Sequence, residues 1–171
     1  FVYRTRSKRY IIIGSVQTLS SEYRFLDASS PLGELRLIEP RGRDHEYSVA
    51  HLGESFLIRT NWEAENFRLM MTPVGTPSRD HWREVIPHRP EALLEDFVVF
   101  DDFLAVTERR DGLNHIRILP WHQRPVQELK IDEPAYLAYL GANPETDTNV
   151  VRYEYTSLTT PSSVYDYDTR T

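Results

Sequence analysis

The sequence predicts an all-β chain, a partial β-propeller of about four blades, each a four-stranded antiparallel meander, with the last blade incomplete. Three observations carry this expectation. Short β-branched and aromatic runs of strand length follow one another, separated by Asp, Gly, Asn and Pro, the residues of turns. These runs form units that repeat: Tyr10, Phe56, Phe103 and Val150 recur at a period of roughly 46 to 48 residues, within the range of propeller blades. The second run of each unit (Tyr10 to Ile13, Phe56 to Ile58, Phe103 to Val106) is apolar without alternation, as expected of an inner strand packed on both faces.

The first unit, about residues 1–40, opens with FVYRT, turns at Ser7-Lys8-Arg9 and continues through YIIIGSV, SEYRFLDA and LRLIEP. The second, about 44–87, reads EYSVAHL, a Gly53-Glu54 turn, SFLIRTN, a polar turn at Trp62 to Glu65, NFRLMMTP and WREVIP, ending at Pro87. In the third, about 93–131, LLEDFVVF and FLAVTER are joined by Asp101-Asp102, short enough for a tight hairpin. Asp111-Gly112 then leads into HIRIL, and Pro120 stops that run. PVQELKI supplies the fourth strand, its proline near the start, where a missing N–H costs least. The fourth unit, about 135–171, has AYLAYLG, a turn around Asn143-Pro144, VVRYEYTS and SVYDYD, and the chain stops where a further strand is due. The segment DEPAYLAYLG also carries helix signals: an acidic cap, Pro134 near a first turn and Gly141 as terminator. A strand is preferred there because Tyr136 falls where the other units place their first strand. All four units are read as one domain over 1–171.

Composition narrows the function classes. With 171 residues the chain is long enough for a real core. Its longest apolar run, near Tyr10 to Val16, is far shorter than the roughly 20 residues a membrane-spanning helix needs, so no membrane partner is expected. Nothing at Phe1 reads as a secretory leader. The absence of cysteine excludes a disulfide framework or a thiolate site and suits a reducing compartment, so the cytoplasm is the expected location. A formal charge of −6 disfavours nucleic acid, whose phosphates demand clustered cations. The one basic cluster, Arg4, Arg6, Lys8 and Arg9, reads as a solvated turn. Acidic residues gather in the second half, among them Glu95, Asp101, Asp102, Asp111, Glu133 and Asp166, a field that draws cationic ligands if it is more than a solubility surface.

No constellation for catalysis emerges. A nucleophile elbow needs G-x-S-x-G before a helix; the Gly14-Ser15 pair instead reads as a strand exit. The histidines at 45 and 51, 81 and 88, and 115 and 122 lack helical metal-ligand spacing and thiolate company, so no metal and no cofactor is expected. The neighbouring carboxylates Glu95-Asp96 and Asp101-Asp102 are poor glycosidase pairs, since adjacent side chains on a strand point to opposite faces.

The strings RDHEYSVAH, SEYRFLDA and YEYTSLTTPSSVYDYD, with LLEDF, VTERRDGL, DEPAY and NPETDT between them in order, closely resemble the β-propeller of the prolyl oligopeptidase family of serine peptidases, and within it the oligopeptidase B (protease II) branch. The resemblance covers essentially the whole chain. It implies the later half of a seven-bladed propeller, with Tyr153 to Thr171 lying just before a C-terminal α/β-hydrolase domain. That domain carries the family's Ser, Asp and His, so no catalytic residue is assigned here. The implied role is to cap the active site and restrict it to short peptides, in this branch cleaved after Arg or Lys.

In related oligopeptidases the loops between second and third strands face the catalytic domain. Here these are Gln17 to Ser20, Asn61 to Glu65, Arg109 to Asn114 and Thr159 to Ser163. The candidate gating or interdomain residues are therefore Gln17, Thr18, Asn61, Trp62, Arg109, Arg110, Asp111, Thr159 and Thr160. Expected partners are the catalytic domain of the same protein and short basic peptides. A freestanding scaffold for a protein or peptide partner is the alternative. Open blade faces also predict self-association of the isolated segment.

Overall fold

The computed structural model describes residues 1–122 and 125–170. Among them are fifteen strands in four antiparallel sheets, one 3-10 turn at Arg79–His81 and no α-helix. The first sheet is β1 (Val2–Arg4), β2 (Tyr10–Gln17), β3 (Ser20–Asp27) and β4 (Arg36–Glu39); the second is β5 (Tyr47–Leu52), β6 (Ser55–Thr60), β7 (Arg68–Pro73) and β8 (Arg83–Ile86). The third is β9 (Leu93–Val99), β10 (Phe103–Arg110), β11 (Leu113–Pro120) and β12 (Gln127–Glu128); the fourth is β13 (Tyr136–Leu140), β14 (Val150–Ser157) and β15 (Ser163–Asp168). Spatial order follows chain order in every sheet. The four meanders expected from the repeat are thus present, and Asp132 to Gly141 carries a strand rather than a helix.

Two compact units divide the chain, Phe1–Arg89 and Pro90–Thr171, each built on two sheets. In the first, Tyr10, Ile12 and Phe25 pack against Val49, Phe56 and Ile58. The Phe25 and Phe56 rings meet edge to face at 4.8 Å, and burying a ring such as Phe56 contributes about 3 kcal/mol. Two tyrosines fasten this seam with hydroxyls that reach backbone carbonyls: Tyr3 to Val49 and Tyr47 to Glu39, both at 2.7 Å. In the second unit Phe100, Phe103, Ile116 and Ile118 pack with Tyr136, Ala138 and Val151.

The inner strands differ in their burial. β10 is buried from Phe103 to Val106 and β6 from Phe56 to Ile58, as their unbroken apolar runs require, and burial on β10 continues through the polar Thr107 and Glu108. β2 instead alternates, with Ile11 and Ile13 half-buried between the buried Tyr10, Ile12 and Gly14. Gly14-Ser15 is not a strand exit. β2 runs on to Gln17, pairing Gly14 with Tyr23 and Ser15 with Glu22, and a Cβ at Gly14 would strike the Phe1 ring at 2.3 Å. β7 begins at Arg68 rather than at Asn66, because Phe67 adopts φ 60° and breaks the extended run. β12 is shorter than PVQELKI suggests, holding only two residues against β11.

Candidate functional site

Meanders place alternate connections at the same end of a sheet. In the first unit the β2–β3 hairpin, the β4–β5 connector and the β6–β7 loop therefore share an end. In the second unit the β10–β11 turn, the β12–β13 connector and the β14–β15 loop do so. All four sequence-predicted loops fall in these two clusters, and in each the connector supplies side chains that fasten the loops.

At the β2–β3 hairpin, Gln17 pairs with Ser20 across a two-residue turn of Thr18 and Leu19. Arg41 from the connector lies along it: Nη1 donates to the carbonyl and hydroxyl of Ser20, at 3.2 and 2.7 Å, and Nη2 to those of Ser15, at 2.6 and 3.0 Å. Beside them Gln17, Thr18, Arg41 and Arg43 line an open groove of about 700 Å³.

Asn61 is a clasp rather than a free loop residue. Its side-chain oxygen accepts from the Glu46 N–H at 2.8 Å, and its amide donates to the Asp44 carbonyl at 3.0 Å. Trp62 is half-buried. Its ring meets Trp82 edge to face at 6.0 Å and carries the Arg68 and Arg79 guanidiniums at 4.7 and 5.3 Å, so it belongs as much to the core margin as to the surface.

Arg109 and Arg110, adjacent on β10, reach two different carboxylates. Arg109 Nε donates to Glu95 at 2.6 Å, and Asn114 donates to the other oxygen of the same carboxylate. Glu95 sits at an irregularity of the β9–β10 ladder, where Thr107 pairs with Asp96 and Glu108 with Leu94, so a bulge re-aims it. Arg110 donates to Glu128 at 2.7 Å, and His115 Nδ1 lies 2.9 Å from the same oxygen. Burial alone would raise the Glu128 carboxyl pKa, but the His115 hydrogen bond and the Arg110 charge hold it below its ordinary value. Asp111 and Gly112 form the turn between β10 and β11, with φ of 50° and 79°.

Thr159 and Thr160 converge on Glu133 of the β12–β13 connector, donating at 3.0 and 3.3 Å, and the Tyr155 hydroxyl donates to it at 2.6 Å. Hydroxyl hydrogen bonds, led by those of Ser157 and Tyr155, lower the Glu133 carboxyl pKa. Glu133, Glu95 and Arg41 were not singled out as site residues by sequence reasoning. Each works through partners far along the chain, and the only local hint was that two of them lie in connectors beside a proline.

His45 and His51 serve packing and hydrogen bonding. His45 Nε2 lies 2.9 Å from the Thr60 hydroxyl, and burial, helped by the Arg79 charge, lowers its pKa. His51 Nδ1 lies 2.8 Å from the Ser7 hydroxyl, a serine–histidine contact that a hydrolytic triad also uses. A triad needs an acid on the second ring nitrogen, and His51 Nε2 is buried with no hydrogen-bond partner among the described residues.

Comparison with known proteins agrees with this architecture. The family model "Prolyl oligopeptidase, N-terminal beta-propeller domain" matches residues 1–171. Dipeptidyl aminopeptidase BI of Pseudoxanthomonas mexicana is 40% identical over 169 residues, 98% of this chain and 23% of that protein. Protease 2 of Moraxella lacunata is 30% identical over 171 residues, 100% of this chain and 24% of that protein. Among solved structures, the closed form of oligopeptidase B from Trypanosoma brucei with covalently bound antipain superposes with a TM-score of 0.90 at 27% identity, covering 100% of this chain and 26% of that one. The chain thus spans about a quarter of the length of these relatives. Four consecutive β-meanders, matched throughout by the family model and by a solved propeller, establish that the chain belongs to the prolyl oligopeptidase N-terminal β-propeller family.

Proposed function

We propose that this chain is the non-catalytic propeller segment of an oligopeptidase B-like serine peptidase of the cytoplasm. In this reading its loop-bearing ends face a C-terminal α/β-hydrolase domain of the same longer protein and admit only short peptides, cleaved after Arg or Lys. The observation that carries it is the fastening of the loops. Arg41, Asn61, Glu95 and Glu133 each tie a loop to a strand or connector remote in sequence. Loops that filter substrates by size need such fixed positions, since a slack rim would admit large chains as well. Arg109 and Arg110 offset Glu95 and Glu128, and the carboxylates of Asp111 and Glu133 leave the loop end of the second unit negative, which favours basic peptides.

The test is kinetic, on the longer protein. Turnover of an arginyl fluorogenic amide, blocked by a serine-directed inhibitor, is expected there and only background from residues 1–171 alone. Arg109→Ala with Asp111→Ala is expected to change the length of peptide accepted or the rate of interdomain opening. Serine-dependent turnover by residues 1–171, or unchanged opening and kinetics in the double variant, would overturn the capping reading.

A further inference from the structure

The groove beside the β2–β3 hairpin contains an arginine whose charge has no counter-ion among the described residues. All four side-chain contacts of Arg41 go to neutral oxygens of Ser15 and Ser20, and no carboxylate lies in ion-pair range of its guanidinium among the described residues. The nearest acid along the chain that touches it, Glu22, accepts from the Arg41 backbone N–H at 3.2 Å and directs its other oxygen to Arg24. Four contacts to a paired hairpin hold the guanidinium in one place, so its field is fixed.

Arg43 supplies the complementary element. Its side chain is 95% exposed, and its ion contact is Nε to Asp44 at 3.4 Å, which leaves both terminal nitrogens of the fork available. Two guanidiniums and the Asp44 carboxylate give the groove a balance of about one positive charge. A singly charged carboxylate matches that balance, and Asp44 works against a doubly charged phosphate. Leu19, 58% exposed, lines the same groove and offers apolar contact beside the charge.

We propose that this groove holds the C-terminal carboxylate of a short peptide, with Arg43 gripping it through its fork, Arg41 supplying the fixed field, and Leu19 packing on the terminal side chain. The proposal rests on the peptide-filter reading above and deepens it, since a site that reads a chain end selects peptides whose end lies close by. Arginine is suited to this task because its planar donors match a carboxylate in pairs.

The test is binding to residues 1–171, followed by backbone amide shifts of Thr18, Ser20 and Gly42, and so needs no catalysis. The probes are N-acetyl-glycyl-leucine, its C-terminal amide, and N-acetyl-glutamyl-leucinamide. The acid is expected to bind about tenfold more tightly than the amide, a preference that weakens with salt. Arg43→Gln, at an exposed position, is expected to reduce it to about twofold or less while leaving the fold intact; Arg41→Lys, which keeps the charge, is expected to retain most of it. Equal binding of acid and amide, an unchanged preference in Arg43→Gln, or glutamyl-leucinamide binding as well as the acid would each overturn the assignment. Failure here leaves the capping reading standing, because that reading is judged on the longer protein's turnover and length selection.

Discussion

The Arg117 guanidinium lies 2.7 Å from the carboxylate of Glu108, a side chain with 1% of its surface exposed. The two are diagonal neighbours on β11 and β10, two residues out of register on the same sheet face. Removing a carboxylate from water is costly unless opposite charge and hydrogen bonds compensate. Arg117→Met is therefore expected to cost about 3–5 kcal/mol of stability, and Glu108→Leu combined with Arg117→Met far less. Urea unfolding of both variants checks this, and equal losses in the two would refute it.

The β10–β11 turn depends on backbone sign. Asp111 and Gly112 both have positive φ, the type I′ geometry that suits a two-residue hairpin. Gly112→Val is expected to cost about 1–2 kcal/mol, the penalty for a side chain in left-handed backbone, whereas Asp111→Gly is expected to be close to neutral. Thermal melting distinguishes them, and the first should lower Tm by about 2–8 °C.

Acid should loosen the first unit before the second. Burial lowers the pKa of both His45 and His51, assisted by Arg79 and Arg9 respectively, while Glu54 and the Gly53 backbone oppose the shift at His51. A histidine depressed in the folded state binds its proton more readily when unfolded. Its contribution is complete above the ordinary value of 6.5 and falls as pH drops from there through the folded pKa. His51 packs against Tyr10 and Phe56, and His45 against Tyr47 and Trp82, so a proton on either sits among rings at the seam of the first unit. The expected result is an acid limb in the stability of residues 1–89 that begins near pH 6.5 and flattens in the His45→Gln, His51→Gln double variant.

The opposite sign applies at high pH. Tyr3 and Tyr47 have pKa values raised by burial, so their contribution is complete below the ordinary value of 10.0 and lost as pH climbs above it. Tyr3→Phe, which forgoes the bond to Val49, should soften that alkaline limb in a pH series of melting curves.

Glu133 holds the β14–β15 loop through the Thr159 and Thr160 hydroxyls, and the Tyr155 hydroxyl of β14 donates to the same carboxylate. Glu133→Ala is expected to speed hydrogen exchange at the Thr159 and Thr160 amides by about tenfold, a local opening that leaves the β13–β14 ladder protected. Uniformly faster exchange across the sheet would contradict this local role.

One face of the fourth sheet exposes apolar side chains in adjacent rows: Leu137 at 52%, Tyr139 at 46% and Val164 at 61%. Such a patch favours association. Residues 1–171 alone should show concentration-dependent light scattering, reduced by Leu137→Lys with Val164→Glu. A concentration-independent monomer would count against it.

Strand placement was legible because it is local. Tyr10, Ser55, Phe103 and Val150 open the four second strands within a residue of their expected places, since turn residues and β-branched runs act over a few neighbours. The errors came where a distant group intervened: the Phe1 ring over Gly14 marks a strand interior, and the left-handed Phe67, with Arg59 stacked on its ring at 3.7 Å, delays β7. The candidate loops were located by counting strands, and the family resemblance singled them out as candidates. What fastens them was not legible, because Glu133 meets Thr159 and Arg41 meets Ser15 across 26 residues each.

By itself the sequence determined an all-β chain of four repeated meanders and the loops between their second and third strands, because apolar runs of strand length and turn propensity are properties of neighbouring residues. Only the tertiary structure decided that Trp62 belongs to the core margin, that Glu95 is turned by a bulge toward Arg109, and that Arg41 lies along the β2–β3 hairpin on the neutral oxygens of Ser15 and Ser20. Those depend on ladder register and on the path of connectors, which bring together side chains whose separation along the chain encodes nothing about their distance in space.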